Sequence, residues 1–311
     1  MTSTFVLFKS AVSSTLMAAT RTGSVLRNVI AIEACVVVPL LIQVILHPDS
    51  HNSPKSGFWG EKTANTNWCE ADYAVTVYVA EFFNALSSMF IVIHSGYELV
   101  MHYEWAELRF SICFFFLVVT GLGSVAYHTT LWRSMQALDE LPMLWCNSAF
   151  IYVNLTLEDK RRHWAHWPIA LGLLATTVAM SLAIYIFDDK DQVCFLLCYG
   201  GGVVWLCYKA LGFNASYNPG SSRNTLPELS VVFYLSGLGI WLVDRRFCEH
   251  VRSLHLHAIW HVCASLGTNT AILGWMWLRH TALGDNPSIV GSPPLQVIVV
   301  EPAKLERTKG S

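Results

Sequence analysis

Charge is scarce in this chain. Only 14% of its 311 residues are Asp, Glu, Lys or Arg, and 53% are hydrophobic, where an average soluble domain carries about 25% charged residues. So few charges cannot clothe a water-facing surface of this size. The same scarcity excludes a disordered chain. An excess of one sign is lacking too: 20 basic against 22 acidic residues leave a formal charge of −2. That excludes a basic nucleic-acid binder and implies no strong electrostatic partner. Nine cysteines in this length, most of them inside apolar runs, exclude a disulfide-stapled mini-protein. Long linkers and internal repeats are absent.

What is present is a series of apolar runs. A helix needs roughly 20 mostly apolar residues to cross a bilayer. Residues 73–97 are interrupted only by Glu81; residues 110–127, 141–157, 167–187 and 192–208 carry no Asp, Glu, Lys or Arg; residues 229–243 and 253–278 complete seven. None alternates polar and apolar as a barrel strand would. Twelve Trp, eleven Tyr and sixteen Phe suit a protein with membrane interfaces. The expected fold is an all-α, polytopic membrane protein, a seven-transmembrane helix bundle. Residues 28–46, which contain Glu33 and Pro39, are an eighth spanning candidate within an N-terminal extension, 1–50, that reads equally as an anchor or targeting segment. The membrane domain is expected over 51–280 and a C-terminal tail over 281–311. In that tail the short apolar run Leu295–Val300 is expected at the interface or packed on the bundle.

Lys and Arg in the loops set the orientation. With residues 48–72 outside, Lys55, Lys62, Arg133, Lys190, Arg245, Arg246 and Arg252 fall outside. Arg109, Lys160, Arg161, Arg162, Lys209, Arg223, Arg279, Lys304, Arg307 and Lys309 fall inside, seven against ten. The tail is therefore expected in the cytosol. The sequons at Asn154 and Asn214 are expected in or near cytosolic loops and so unglycosylated.

Ionisable residues within apolar spans are functional candidates by default. His257 and His261 are four residues apart and project from one helical face, a spacing that suits two ligands on one metal ion; a pair of satisfied core histidines is the alternative. Ser124 and His128 share a face in the same way. His128 supplies a third nitrogen and leaves a coordination position open, as in catalytic rather than structural zinc sites. Asp139 is placed to orient or deprotonate a metal-bound water, the alternative being an acid at a helix N-terminus. For Ser124 the alternative is a backbone-bonded serine at a helix contact. A second constellation, Asn67, Glu70 and Asp72 with Glu81 further along, offers hard oxygen ligands that favour Ca²⁺ over zinc. A solvated acidic loop accounts for Glu70 and Asp72, but not for Glu81 within an apolar span.

These residues together resemble the alkaline ceramidase family, within the seven-helix membrane hydrolases that include adiponectin receptors. The matching pieces are Gly57-Phe58-Trp59-Gly60, Asn67-Trp68-Cys69-Glu70, Ala80-Glu81-Phe82-Phe83-Asn84, Gly121-Leu122-Gly123-Ser124 with His128, Leu138-Asp139-Glu140-Leu141-Pro142-Met143, Asp244-Arg245-Arg246-Phe247-Cys248-Glu249 and His257-Ala258-Ile259-Trp260-His261. The resemblance implies hydrolysis of the ceramide amide to a sphingoid base and a fatty acid, with zinc at the active site, calcium as an activator, and a location in the endoplasmic reticulum or Golgi membrane. By the same resemblance His128, His257 and His261 are the zinc ligands and Ser124 and Asp139 the other catalytic residues. Asn67, Glu70, Asp72 and Glu81, with the Trp68 carbonyl, form the calcium site. The family commonly has Asp at the first calcium position and often Asn at the third; Asn67 and Asp72 are exchanged here, which conserves three carboxylates. Cys69 and Cys248 are the two cysteines in flanking segments, both on the side assigned to the oxidising lumen and both in matching motifs, so a disulfide between them is expected, with free thiols as the alternative. A ceramide-class lipid and the membrane are the expected partners, with no nucleic acid. The competing readings are a seven-helix lipid receptor with a zinc site and a transporter, which would show repeats or broken helices.

Overall fold

The structure is a computed structural model of the chain, and it describes residues 57–104, 106–159, 166–187, 193–217, 224–291 and 295–301. Among these residues are seven long helices: α1 (Phe82–His102), α2 (Leu108–Thr130), α3 (Arg133–Leu155), α4 (Trp167–Phe187), α5 (Val193–Tyr217), α6 (Leu226–Arg246) and α7 (Leu256–Leu283). At about 1.5 Å per residue, even the shortest measures about 32 Å, close to the hydrocarbon thickness of a bilayer. Three of them, α2, α4 and α6, are both long and apolar enough by composition to cross a membrane, with mean hydropathies of 2.0, 2.1 and 1.6. α5 carries a shorter apolar stretch, Cys194–Ala210, and α1, α3 and α7 are diluted by polar side chains that point inward. On α1, for example, Asn84, Ser88, His94, Ser95, Glu98 and His102 are all buried. The N-terminal extension and its eighth span lie outside the described residues.

Apolar side chains face outward where a soluble protein would place charges. α4 exposes Leu171, Leu174, Leu182 and Phe187 and buries Thr177, Ser181 and Ile184. Thr177 meets Ser148 of α3 at 2.5 Å between hydroxyls. The main core lies among α2, α3, α5 and α7, with Phe110, Phe114, Phe150, Leu206, Ile272, Trp275 and Met276.

The departures from the expected spans have local causes. Residues 73–80 are apolar but not helical. Tyr73 adopts φ 54°, Thr76 and Val79 form a β-bridge, and Ala80 N–H donates to the Thr129 carbonyl at the end of α2. α1 therefore begins only at Phe82, and Glu81, expected deep in a span, stands immediately before the helix. α3 starts earlier than its apolar run, so Asp139 falls in its second turn and Pro142 inside it. The sequons lie in the last turns of helices, next to loops: Asn154 is buried in α3 and Asn214 belongs to α5. The chain is also not wholly helical. After the Gly284 cap of α7 (φ 86°), strands β1 (Asn286–Val290) and β2 (Val297–Glu301) pair antiparallel, Ser288 opposite Val299. The tail's apolar run thus packs as a hairpin, with Ile298 buried in the main core.

Candidate active site

The segment 57–81 is nailed to the end of α2. Leu131, in the left-handed region at φ 52°, caps α2 by donating to the Tyr127 carbonyl. Its own carbonyl accepts from Thr63 and Ala64 N–H, and Glu81 N–H donates to the His128 carbonyl. The Tyr127 hydroxyl donates to the Thr66 carbonyl at 2.6 Å. Cys69 and Cys248 are joined, with Cα atoms 5.3 Å apart, within the usual span of a disulfide. Asp244, near the end of α6, accepts backbone N–H groups from Cys69 and His257. These ties bring the ends of α1 and α2 against the first turns of α7.

They converge on three buried imidazoles. His128, His257 and His261 each offer a nitrogen within 4.8 Å of the others, an arrangement that can hold a metal ion. His128 Nδ1 lies 2.5 Å from Glu81 Oε2. The carboxylate accepts, so Nδ1 carries the hydrogen and Nε2 keeps its lone pair. That Nε2 is buried without a hydrogen-bond partner, as is Nδ1 of His257. His261 Nδ1 is 2.8 Å from Ser87 Oγ and 3.3 Å from Ser88 Oγ. Trp68 stacks its ring on His257 with centroids 3.9 Å apart. Buried, unpartnered imidazole lone pairs fit a metal, because without one each costs the desolvation of a polar atom.

Ser124 and Asp139 stand together beside this cluster because two backbones touch. Pro142 has no N–H to give the Leu138 carbonyl. Gly123 of α2 lies directly against that carbonyl, where a side chain would collide. The close approach sets Ser124, the next residue of α2, in hydrogen bond with Asp139, the next residue of α3. Ser124 Oγ also accepts from Ser88 Oγ at 3.0 Å. Asp139 therefore lies in the second turn of α3 with its side chain bonded to Ser124, not at the helix N-terminus. Ser124, Asp139, His257 and His261 line one end of a cavity of about 470 Å³. Its walls are otherwise mostly apolar, with Phe150, Phe195, Leu206 and Trp275 among them.

The oxygen-bearing residues of the loop lie nearby but are partly committed. Both Glu70 oxygens accept backbone N–H groups of α1, from Phe83 at 2.8 Å and Asn84 at 2.9 Å, so Glu70 caps that helix. Glu81 accepts from Trp68 N–H at 2.9 Å as well as from His128. Asp72 pairs with Lys62 and accepts from Asn67 Nδ2 at 3.1 Å; its other oxygen is buried and unpartnered. Burial, together with the nearby Glu81 carboxylate, pushes the Glu70 carboxyl up to about 8. Three acids drawn together in this way, each with lone pairs to spare, fit a hard cation. Glu81 thus reaches both groups, a bridge that its apparent place in a span concealed.

Nothing in the sequence pointed to Ser87 and Ser88, and Asp244, though it opens a matching motif, carried no role there. The hydroxyls stand three and four residues from Asn84, on the helix face that carries it; only the fold aims them at His261.

Comparison with known proteins places this geometry in a family context. Residues 60–291 match the ceramidase family. The chain is 28% identical to alkaline ceramidase 3 of Mus musculus over 249 residues, 76% of this chain and 91% of the relative. It is 29% identical to the alkaline ceramidase YPC1 of Saccharomyces cerevisiae over 265 residues, 75% and 83% of the two chains. With the alkaline ceramidase of Arabidopsis thaliana it shares 28% identity over 240 residues, 75% and 91%.

Proposed function

The chain belongs to the ceramidase family, and from that premise we propose a zinc-dependent membrane amidase that hydrolyses ceramide to a sphingoid base and a free fatty acid. The observation that carries this reading is the set of three buried imidazoles beside the Ser124–Asp139 pair, at the head of an apolar cavity. His128, His257 and His261 are the zinc ligands. Zinc bound there supplies a Lewis acid for the amide carbonyl and lowers the pKa of a water from about 16 to about 7.

The remaining work falls to the chain's own side chains. Asp139 accepts the proton of the attacking water and returns it to the departing sphingoid amine. In the resting site the Ser124 hydroxyl is engaged by Asp139. Once Asp139 is protonated, Ser124 is released and donates to the oxygen that develops negative charge, while Ser88 holds its lone pair. Glu81 fixes the His128 tautomer, and Ser87 orients His261. The lipid chains run into the apolar part of the cavity, which keeps bulk water from the reacting amide.

All seven long helices span the membrane in this reading, with residues 57–81 in the lumen of the endoplasmic reticulum or Golgi and the tail in the cytosol. The domain covers 51–280, and 1–50 is an extension. Asn67, Glu70, Asp72, Glu81 and the Trp68 carbonyl would hold calcium, with Asp72 giving up its pairing with Lys62. The test is turnover of ceramide, phytoceramide and dihydroceramide by purified full-length protein, with and without a chelator. Hydrolysis that is lost on chelation and restored by zinc is expected. Lipid binding without turnover in the zinc-loaded protein would favour a receptor instead.

A further inference from the structure

The site above uses the first turns of α1 and α7. Near the opposite ends of these helices lies a second group of buried ionisable side chains. His94, Glu98 and His102 recur at every fourth residue of α1 and share one face. Glu98 is completely enclosed, and neither of its carboxyl oxygens has a hydrogen-bond partner. The imidazole nitrogens His102 Nδ1 and His94 Nε2 lie 3.3 and 3.9 Å from it.

Both ring nitrogens of His102 are committed. Nδ1 lies 2.8 Å from the carbonyl oxygen of Glu98; a carbonyl only accepts, so Nδ1 carries the hydrogen. Nε2 accepts the backbone N–H of Ile298 at 3.3 Å, so it carries a lone pair. His102 is therefore neutral, in its Nδ1–H tautomer. Ile298 belongs to β2, and its buried amide is where the C-terminal hairpin meets α1. His94 is tied to α7 instead, with Nδ1 3.1 Å from Ser265 Oγ and 3.4 Å from Asn269 Nδ2.

An enclosed carboxylate without donors is costly, and a bound proton removes its charge. His102 cannot lend its proton without abandoning the Glu98 carbonyl, so the proton resides on the Glu98 carboxyl. We propose that Glu98 and His102 form a proton-binding site that latches the C-terminal hairpin onto the bundle. With one proton, on Glu98, the hairpin is docked; with a second, on His102, it is released. The second proton comes from solvent and binds the Nε2 lone pair that the Ile298 N–H now uses. Two N–H groups then face each other, beside an imidazolium that neutral Glu98 does not compensate. Departure of the hairpin admits water to that nitrogen. α2 brings the Phe114 ring, stacked on His102. α7 brings Asn269 and Ser265 to His94. Arg109 and Arg279, the cations at this end of α2 and α7, are engaged with Glu107.

The test is hydrogen exchange of residues 286–301 in the full-length protein in lipid nanodiscs, corrected for intrinsic rates, at about pH 7.5 and about pH 5. Where the released imidazole is protonated and the docked one is not, each pH unit multiplies the released fraction about tenfold, so protection of the Ile298 amide is expected to fall about tenfold or more. His102→Gln retains an acceptor for Ile298 and cannot gain a proton, so its hairpin is expected to stay protected at both pH values. His102→Ala is expected to lose protection at both. Glu98→Gln, uncharged like the acid, should dock at neutral pH and release in acid, and should lack a carboxylic-acid C=O band that the parent protein shows in its infrared spectrum. The proposal is overturned by wild-type protection that does not change with pH, by acid release that persists in His102→Gln, or by infrared spectra with no acid band lost in Glu98→Gln.

Discussion

Replacing Gly123 with alanine probes the close approach of α2 and α3 with one methyl group. A Cβ at this position would overlap the Leu138 carbonyl and stand 2.7 Å from the Asp139 nitrogen, well inside van der Waals contact. The helices must separate by about 1 Å, and overpacking of this kind costs about 1–3 kcal/mol. Alanine recovers about 1 kcal/mol of that through its better helix propensity, so the net loss of about 0–2 kcal/mol leaves the protein folded. The site is less tolerant. Ser124 and Asp139 sit on the two backbones that move apart, so their hydrogen bond is lost. A misplacement of about 1 Å at a reacting group costs about 100-fold in rate. The three histidines lie on α2 and α7, so metal content should be unchanged. The assay compares ceramide turnover and bound zinc in Gly123→Ala with those in Gly239→Ala, a helical glycine with nothing within 4 Å of the added carbon. Wild-type turnover in Gly123→Ala would refute the reasoning.

His257→Ala or His261→Ala should abolish hydrolysis and lower bound zinc, since two ligands hold a catalytic ion poorly; full occupancy with normal turnover, by metal analysis and lipid assay, would remove them as ligands. Asp139→Asn should keep zinc but lose most turnover, because a carboxamide cannot accept the proton; near-normal rates would exclude Asp139 as the base. Cys69 and Cys248 close a loop across a separation of 179 residues, which in the chain-entropy model is worth roughly 5 kcal/mol. Peptide mapping of membranes without reductant should find them paired, and free alkylation of both thiols would show that no such link exists.

Much of the bundle was legible because apolar runs announce buried or lipid-facing helices; the run 167–187 coincides with α4. The pairing of Ser124 with His128, and of His257 with His261, was legible from spacing alone, since a helix puts such residues on one face. What joins those faces was not. Glu81 was read into a span because hydropathy does not distinguish residues 73–80, held in a loop by carbonyls of α2, from a helical turn. Glu98 ended the apolar run at residue 97 and so passed as a boundary, although α1 continues to His102. The contact of Ser124 with Asp139 depends on Gly123 meeting the carbonyl freed by Pro142, a tertiary event. The hairpin register likewise depends on packing of Ile298 against α1 and α7.

The ties that hold segment 57–81 also impose an order on biosynthesis. Trp68, Cys69 and Glu81 leave the ribosome early, yet their partners are spread over the rest of the chain: His128 at the end of α2, then Cys248 and His257 beyond α6. α2 alone can hold the loop, through Leu131, Thr129 and His128, but until α7 is inserted the histidine cluster lacks two of its three imidazoles. A nascent chain, or one truncated before α7, therefore has no assembled site with which to cut the lipid around it. Cys248 precedes α7 and can meet Cys69 first; completion of the last helix then brings His257 and His261 to His128.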